Sequence, residues 1–135
     1  MYVIYIIEED FNMSLAVIAI PEGCTPEQKK RLLAGVKQAC AEGFELKPTQ
    51  CFAYITEILR ENIGEGAEVI KWMTVYTTYG KTILGKNLIS KRFDEVCKEV
   101  FNEPDCFNIV MFKEHVGENV GVRGGIRTLK SLFEK

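Results

Sequence analysis

A chain of 135 residues, 47% apolar and 27% charged, can bury one core and is too short for two. A net charge of −2, with basic residues scattered rather than striped, offers no surface for nucleic acid. No apolar run reaches bilayer length, and five cysteines without a CxxC pair read as reduced thiols of a cytoplasmic protein.

Met1–Ile7 is apolar but lacks a basic leader and runs straight into Glu8-Glu9-Asp10, so it reads as a strand and not as a signal peptide. Residues 1–13 form an N-terminal extension. Leu15–Ile20 is a continuous β-branched run, the pattern of a covered strand. Thr25 is placed to cap a helix, with Pro26 at its first position and Gln28 closing a capping box. Leu32, Leu33, Val36, Ala39 and Cys40 form that helix's apolar stripe, and Gly43 is its expected stop. Cys51–Ile58 follows as a second strand. The order then recurs: a strand over Met73–Thr78, a helix over Lys86–Phe101 and a strand over Phe107–Phe112.

The recurrence is an internal repeat. A constant offset of 57 lays Gly23 on Gly80, Thr25 on Thr82, Lys29 on Lys86, Cys40 on Cys97 and Glu57 on Glu114. Glu61-Asn62-Ile63-Gly64 falls on Glu118-Asn119-Val120-Gly121. One domain over 1–135 therefore divides into the extension, repeat 1 (14–67), repeat 2 (71–125) and a tail (126–135). A helix between two strands implies a parallel crossover, so two β-α-β units predict an α/β (α+β) fold: a four-stranded sheet, two helices on one face, and an added N-terminal strand. The uncovered sheet face, apolar by its alternation, predicts self-association.

These residues resemble the tautomerase superfamily, typified by oxalocrotonate tautomerase. Pro21–Lys29 is similar to its strand-to-helix junction, and Glu61–Gly66 to the Glu-Asn-Trp-Gly hairpin that closes its unit. The resemblance spans about residues 14–125. It implies a homotrimer of fused two-repeat subunits and a site built on an N-terminal proline, whose amine serves as base while arginines hold an anionic substrate. Residue by residue, the proline's position is Ser14 in repeat 1 and Lys71 in repeat 2. The loop-arginine positions hold Cys24 and Lys81, the strand-arginine positions Phe52 and Ile109, and the hairpin aromatic positions Ile63 and Val120. The fold is expected and the proline mechanism is not.

That leaves Lys71 as the candidate catalytic amine, its alternative being a solvated linker lysine. Lys81, Arg123, Ser14 and Cys24 are candidate ligand-binding residues; a helix start can lower the pKa of a thiol such as Cys24, the alternative being a packed or idle cysteine. A pocket joining Lys71, Lys81 and Arg123 would mark an anion site. His115, the one histidine, reads as a strand-end residue without metal partners, and no cofactor is expected. Gly80-Lys81-Thr82 lacks the upstream glycine of a phosphate loop. The expected ligand is a small anionic keto or enol compound, turned over by an altered proton transfer. The alternative is an oligomeric scaffold that keeps only the fold.

Overall fold

The computed structural model describes residues 12–126; the expected Met1–Ile7 strand and the tail beyond Ile126 lie outside the described residues. Strands β1 (Ser14–Pro21), β2 (Cys51–Ile58), β3 (Ile70–Thr78) and β4 (Phe107–His115) form one sheet in the order β2-β1-β3-β4. β1 pairs parallel with β2, and β3 with β4, as two crossover units demand. Between the units β1 and β3 run antiparallel, with Ser14 opposite Thr77 and Ala19 opposite Trp72.

Helices α1 (Pro26–Phe44) and α2 (Ile83–Phe101) are offset by the repeat distance at both ends. Thr25 and Gln28 form the expected capping box: the Thr25 hydroxyl accepts from the Gln28 amide at 3.1 Å and the Gln28 side chain accepts from the Thr25 amide at 2.9 Å. Thr82 caps α2 by accepting from the Gly85 amide, which starts that helix three residues before the periodicity placed it. Each helix ends on a left-handed residue, Glu45 (φ 54°) and Asn102 (φ 52°).

Gly43 is therefore not the helix stop. It marks the helix crossing: a Cβ there would stand 2.6 Å from the Gly85 carbonyl oxygen, and one on Gly85 would stand 2.2 Å from that of Gly43. Backbone meets backbone, and no side chain fits. At the repeat-related crossing Gln28 and Val100 take these places, and the Gln28 amide nitrogen donates to the Val100 carbonyl at 3.3 Å.

Strand alternation decides what the helices cover. Ala16, Ile18, Ile20, Met73 and Val75 are buried beneath Leu32, Val36, Cys40, Ile89, Phe93 and Cys97. The other side of the sheet is open. Phe52, Tyr54, Trp72, Phe107 and Met111 stand exposed there, Tyr54 at 63%. Two hollows lie along the ends of this open face. One of about 370 Å³ is lined by Tyr76, Thr77, Thr78, His115 and Asn119; the other, of about 400 Å³, by Ala19, Ile20, Pro21, Ile58 and Asn62. The repeat offset carries each of these residues of the second hollow onto one of the first, so a single backbone shape recurs with different side chains. No helix among the described residues is long and apolar enough to cross a membrane.

Candidate functional site

The antiparallel contact of β1 with β3 brings the start of each strand beside the end of the other. Lys71, opening β3, meets the loop that leaves β1 and carries Cys24. Ser14, opening β1, meets the loop that leaves β3 and carries Lys81. The five candidate residues thus fall into two pairs at opposite ends of the sheet, with Arg123 apart in the turn (φ 53°) of the hairpin β5 (Gly121–Val122) and β6 (Gly125–Ile126). One pocket does not join Lys71, Lys81 and Arg123.

Each end holds one lysine and one small residue, in exchanged positions. At one end the strand supplies the lysine and the loop the thiol; at the other the strand supplies a hydroxyl and the loop the lysine. Both ammonium groups lie over the phenylalanine that ends a helix, Lys71 Nζ 5.1 Å from the Phe101 ring centre and Lys81 Nζ 5.5 Å from that of Phe44. Phe44 and Phe101 are repeat-equivalent, so the cation occupies one place at both ends and arrives by two routes.

The Ser14 end is closed. Lys81 Nζ donates to Asn12 Oδ1 at 2.6 Å and to Thr78 Oγ at 2.8 Å, while Thr77 Oγ donates to the Met13 carbonyl at 2.8 Å. These bonds tie the chain entering β1 across the site. Ser14 is fully buried, and its Oγ has no hydrogen-bond partner of good geometry among the described residues; the thiols of Cys40 and Cys51 are its polar neighbours. Burial holds the Lys81 ammonium below its usual pKa, against the opposing pull of Glu114.

The Lys71 end is open. Lys71 is 2% exposed, which rules out the solvated linker lysine, and its Nζ pairs with Glu103 Oε2 at 2.8 Å. A pocket of about 250 Å³ lies against it, lined also by Cys24, Gln28, Arg60 and Glu68. Arg60 stands at the rim, its guanidinium without an ion-pair partner among the described residues; its backbone amide donates to Glu22 Oε2 at 2.7 Å. Glu68 is held by the Gly66 amide at 2.9 Å.

The Cys24 thiol is not activated. Burial and then the Glu57 carboxylate raise its pKa, and the lowering pull of Lys71 is the smaller effect. Burial weighs more on this thiol than the helix start and the cations around it, as befits a packed cysteine. Its Sγ donates weakly to the Pro21 carbonyl at 3.7 Å.

Sequence reasoning missed Arg60 and Glu103. A signal existed in the repeat itself: their counterparts are Gly117 and Leu46, so each is a charge where the sister unit has none. His115 ends β4 as expected, its ring stacked on Tyr76 at 6.3 Å.

No sequence-family model and no curated protein matches the chain. Solved structures match along most of it. A fused 4-OT, described as an asymmetric trimer, superposes with a TM-score of 0.77 at 20% identity, covering 85% of this chain and 97% of that one. Malonate semialdehyde decarboxylase gives 0.70 at 14% identity, over 87% of this chain and 96% of its own. The macrophage migration inhibitory factor of Toxoplasma gondii gives 0.71 at 16%, over 81% and 96%. The chain has the tautomerase-like β-α-β fold of these structures, with two such units in one chain.

Proposed function

We propose that the protein binds a small anionic keto or enol compound in the Lys71 pocket and moves a proton on it without a proline amine. One observation carries this reading: the buried Lys71 ammonium, which the resemblance aligns with the family's amine, shares a pocket with a guanidinium that has no ion-pair partner among the described residues. Arg60 holds the ligand's carboxylate, Lys71 polarises its carbonyl or enol oxygen, and Cys24 packs beside it as a neutral thiol. Ser14 and Lys81 act at the other end as closure, and Arg123 plays no part in this pocket. The test is calorimetric titration with oxalate, a planar mimic of an enol acid, together with ketonisation of phenylenolpyruvate. Wild type should bind and turn over, while Lys71→Met, of similar volume and no charge, should bind at least tenfold more weakly. No binding and no rate in the wild type would overturn the reading.

The open apolar sheet face supports self-association, and fused 4-OT relatives described as trimers suggest a homotrimer. Placing glutamates at Tyr54 and Met111 should convert the assembly to monomer by light scattering; an unchanged mass would sink the interface. The closed Ser14 end favours a second reading at that end alone, a unit kept for assembly and not for chemistry. Five free cysteines fit a reducing cytoplasm.

A further inference from the structure

Proton transfer needs a group that gains and loses a proton, and within the Lys71 pocket one side chain is arranged for it. We propose that Glu103 is the proton-carrying residue, working on 2-oxo acids whose C3 bears hydrogen, with Lys71 as the cation that holds the enolate oxygen. This rests on the reading of the pocket as an anion site.

Glu103 follows the left-handed Asn102 that ends α2, and its repeat mate Leu46 is a buried apolar residue of the core. The fold thus accepts leucine at this place, and a carboxylate here has no structural necessity. Two other carboxylates line the pocket, and both are committed to backbone amides: Glu22 to that of Arg60 and Glu68 to that of Gly66. The Glu103 side chain has Lys71 Nζ, at 2.8 Å, as its one hydrogen-bond partner among the described residues. Its side chain is 45% exposed while that of Lys71 is 3% exposed. The ammonium is therefore fixed at the inner wall, and the carboxylate reaches from it into the pocket.

The separation suits the chemistry. A keto–enol shift moves one proton between the C2 oxygen and C3, so the acceptor must serve both atoms while the charge rests on oxygen. In the ketonising direction the Glu103 carboxylate takes the enol O–H proton. The resulting enolate oxygen is held by the Lys71 ammonium; its electron pair then forms the C2=O bond, and the C=C pair takes the proton from Glu103 at C3. Atoms and electrons balance without an oxidant or a cofactor. Arg60 binds the substrate carboxylate and fixes which carbon faces Glu103. The Ser14 end, with Leu46 in this place, has no such group.

The test compares wild type, Glu103→Gln and Lys71→Met. Glutamine keeps an oxygen for Lys71 to bond and cannot take up a proton. Three readouts are needed: ketonisation of phenylenolpyruvate, exchange of the C3 hydrogens of phenylpyruvate in D2O followed by NMR, and oxalate binding by calorimetry. Glu103→Gln should lower kcat and the exchange rate about a hundredfold or more, in the range of a lost general base, with KM and oxalate affinity within about threefold. Lys71→Met should weaken oxalate binding as well as rate. Equal rates in wild type and Glu103→Gln would overturn the assignment and leave the anion site standing. Oxalate binding by a wild type that neither ketonises nor exchanges would overturn it too. Absence of both binding and rate would remove the site itself.

Discussion

The Ser14 end and the Lys71 end have one backbone and opposite fates. At each, a lysine ammonium sits over a helix-ending phenylalanine beside a small polar residue. At the first, the lysine comes from the loop and bonds Asn12 and Thr78, sealing the chain across the site. At the second it comes from the strand, pairs with a half-exposed Glu103 and faces a pocket with Arg60 at its rim. Two units in one chain are free to differ in this way, because a substitution in one leaves the other unchanged. The pocket is open where the partner of the lysine is a carboxylate in solvent, and shut where it is the entering chain.

Where the ends are alike, they should break alike. Cys40 and Cys97, repeat-equivalent and buried, have thiols pushed up from 9.0 to about 12 by burial. The folded chain holds these protons where the unfolded chain has released them. Stability present below pH about 9 is therefore lost as pH rises towards 12, on the order of 4 kcal/mol per thiol. Urea unfolding across that range should show Cys40→Ala and Cys97→Ala flattening the alkaline decline by similar amounts. Unequal slopes would break the equivalence of the two cores.

The helix crossing separates the ends again. Gly85→Ala drives a methyl against the Gly43 carbonyl and should cost about 2–3 kcal/mol. Gln28→Ala, at the related crossing, loses one hydrogen bond and half a capping box, for about 1 kcal/mol by denaturant titration. The proposed ligand site divides the ends next. Lys81→Met should leave oxalate affinity within about threefold while Lys71→Met lowers it tenfold or more, about 1.4 kcal/mol; the reverse order would place the ligand at the Ser14 end.

The smallest difference concerns the ion pairs that tie each helix start to the following strand, Lys29 with Glu57 and Lys86 with Glu114. Both are partly exposed, and double-mutant cycles should give each no more than about 1 kcal/mol. The second should be the stronger, since Glu114 also accepts from the Lys81 amide at 3.0 Å.

Much of this was legible before any coordinates. Thr25, Pro26 and Gln28 form the cap that their spacing spelled, because capping is settled within four residues. The β1 strand was legible as a continuous apolar run, and the parallel pairing inside each unit from the helix that links its two strands. Legibility ended at Gly43, read as a stop by residue type when the helix runs past it to Phe44, and at Cys24, where burial overrode the helix start. The site divided likewise. Ser14, Cys24, Lys71 and Lys81 were singled out as candidates by position, while Arg60 and Glu103 were passed over because no short-range pattern marks them.

The two units with their strands and helices, and the Ser14 and Lys71 that open the units' first strands, were written in the sequence. They were legible there because period, cap and repeat are properties of neighbouring residues. Tertiary packing alone set Lys71 with Cys24 in one pocket, and brought Lys81 to the end of the sheet where Ser14 opens β1. That choice follows from the antiparallel seam between β1 and β3, which sets the start of one unit's strand against the loop of the other. A pairing made across the seam has no local period to announce it, and the same four residues joined in another register would have built a different pair of ends.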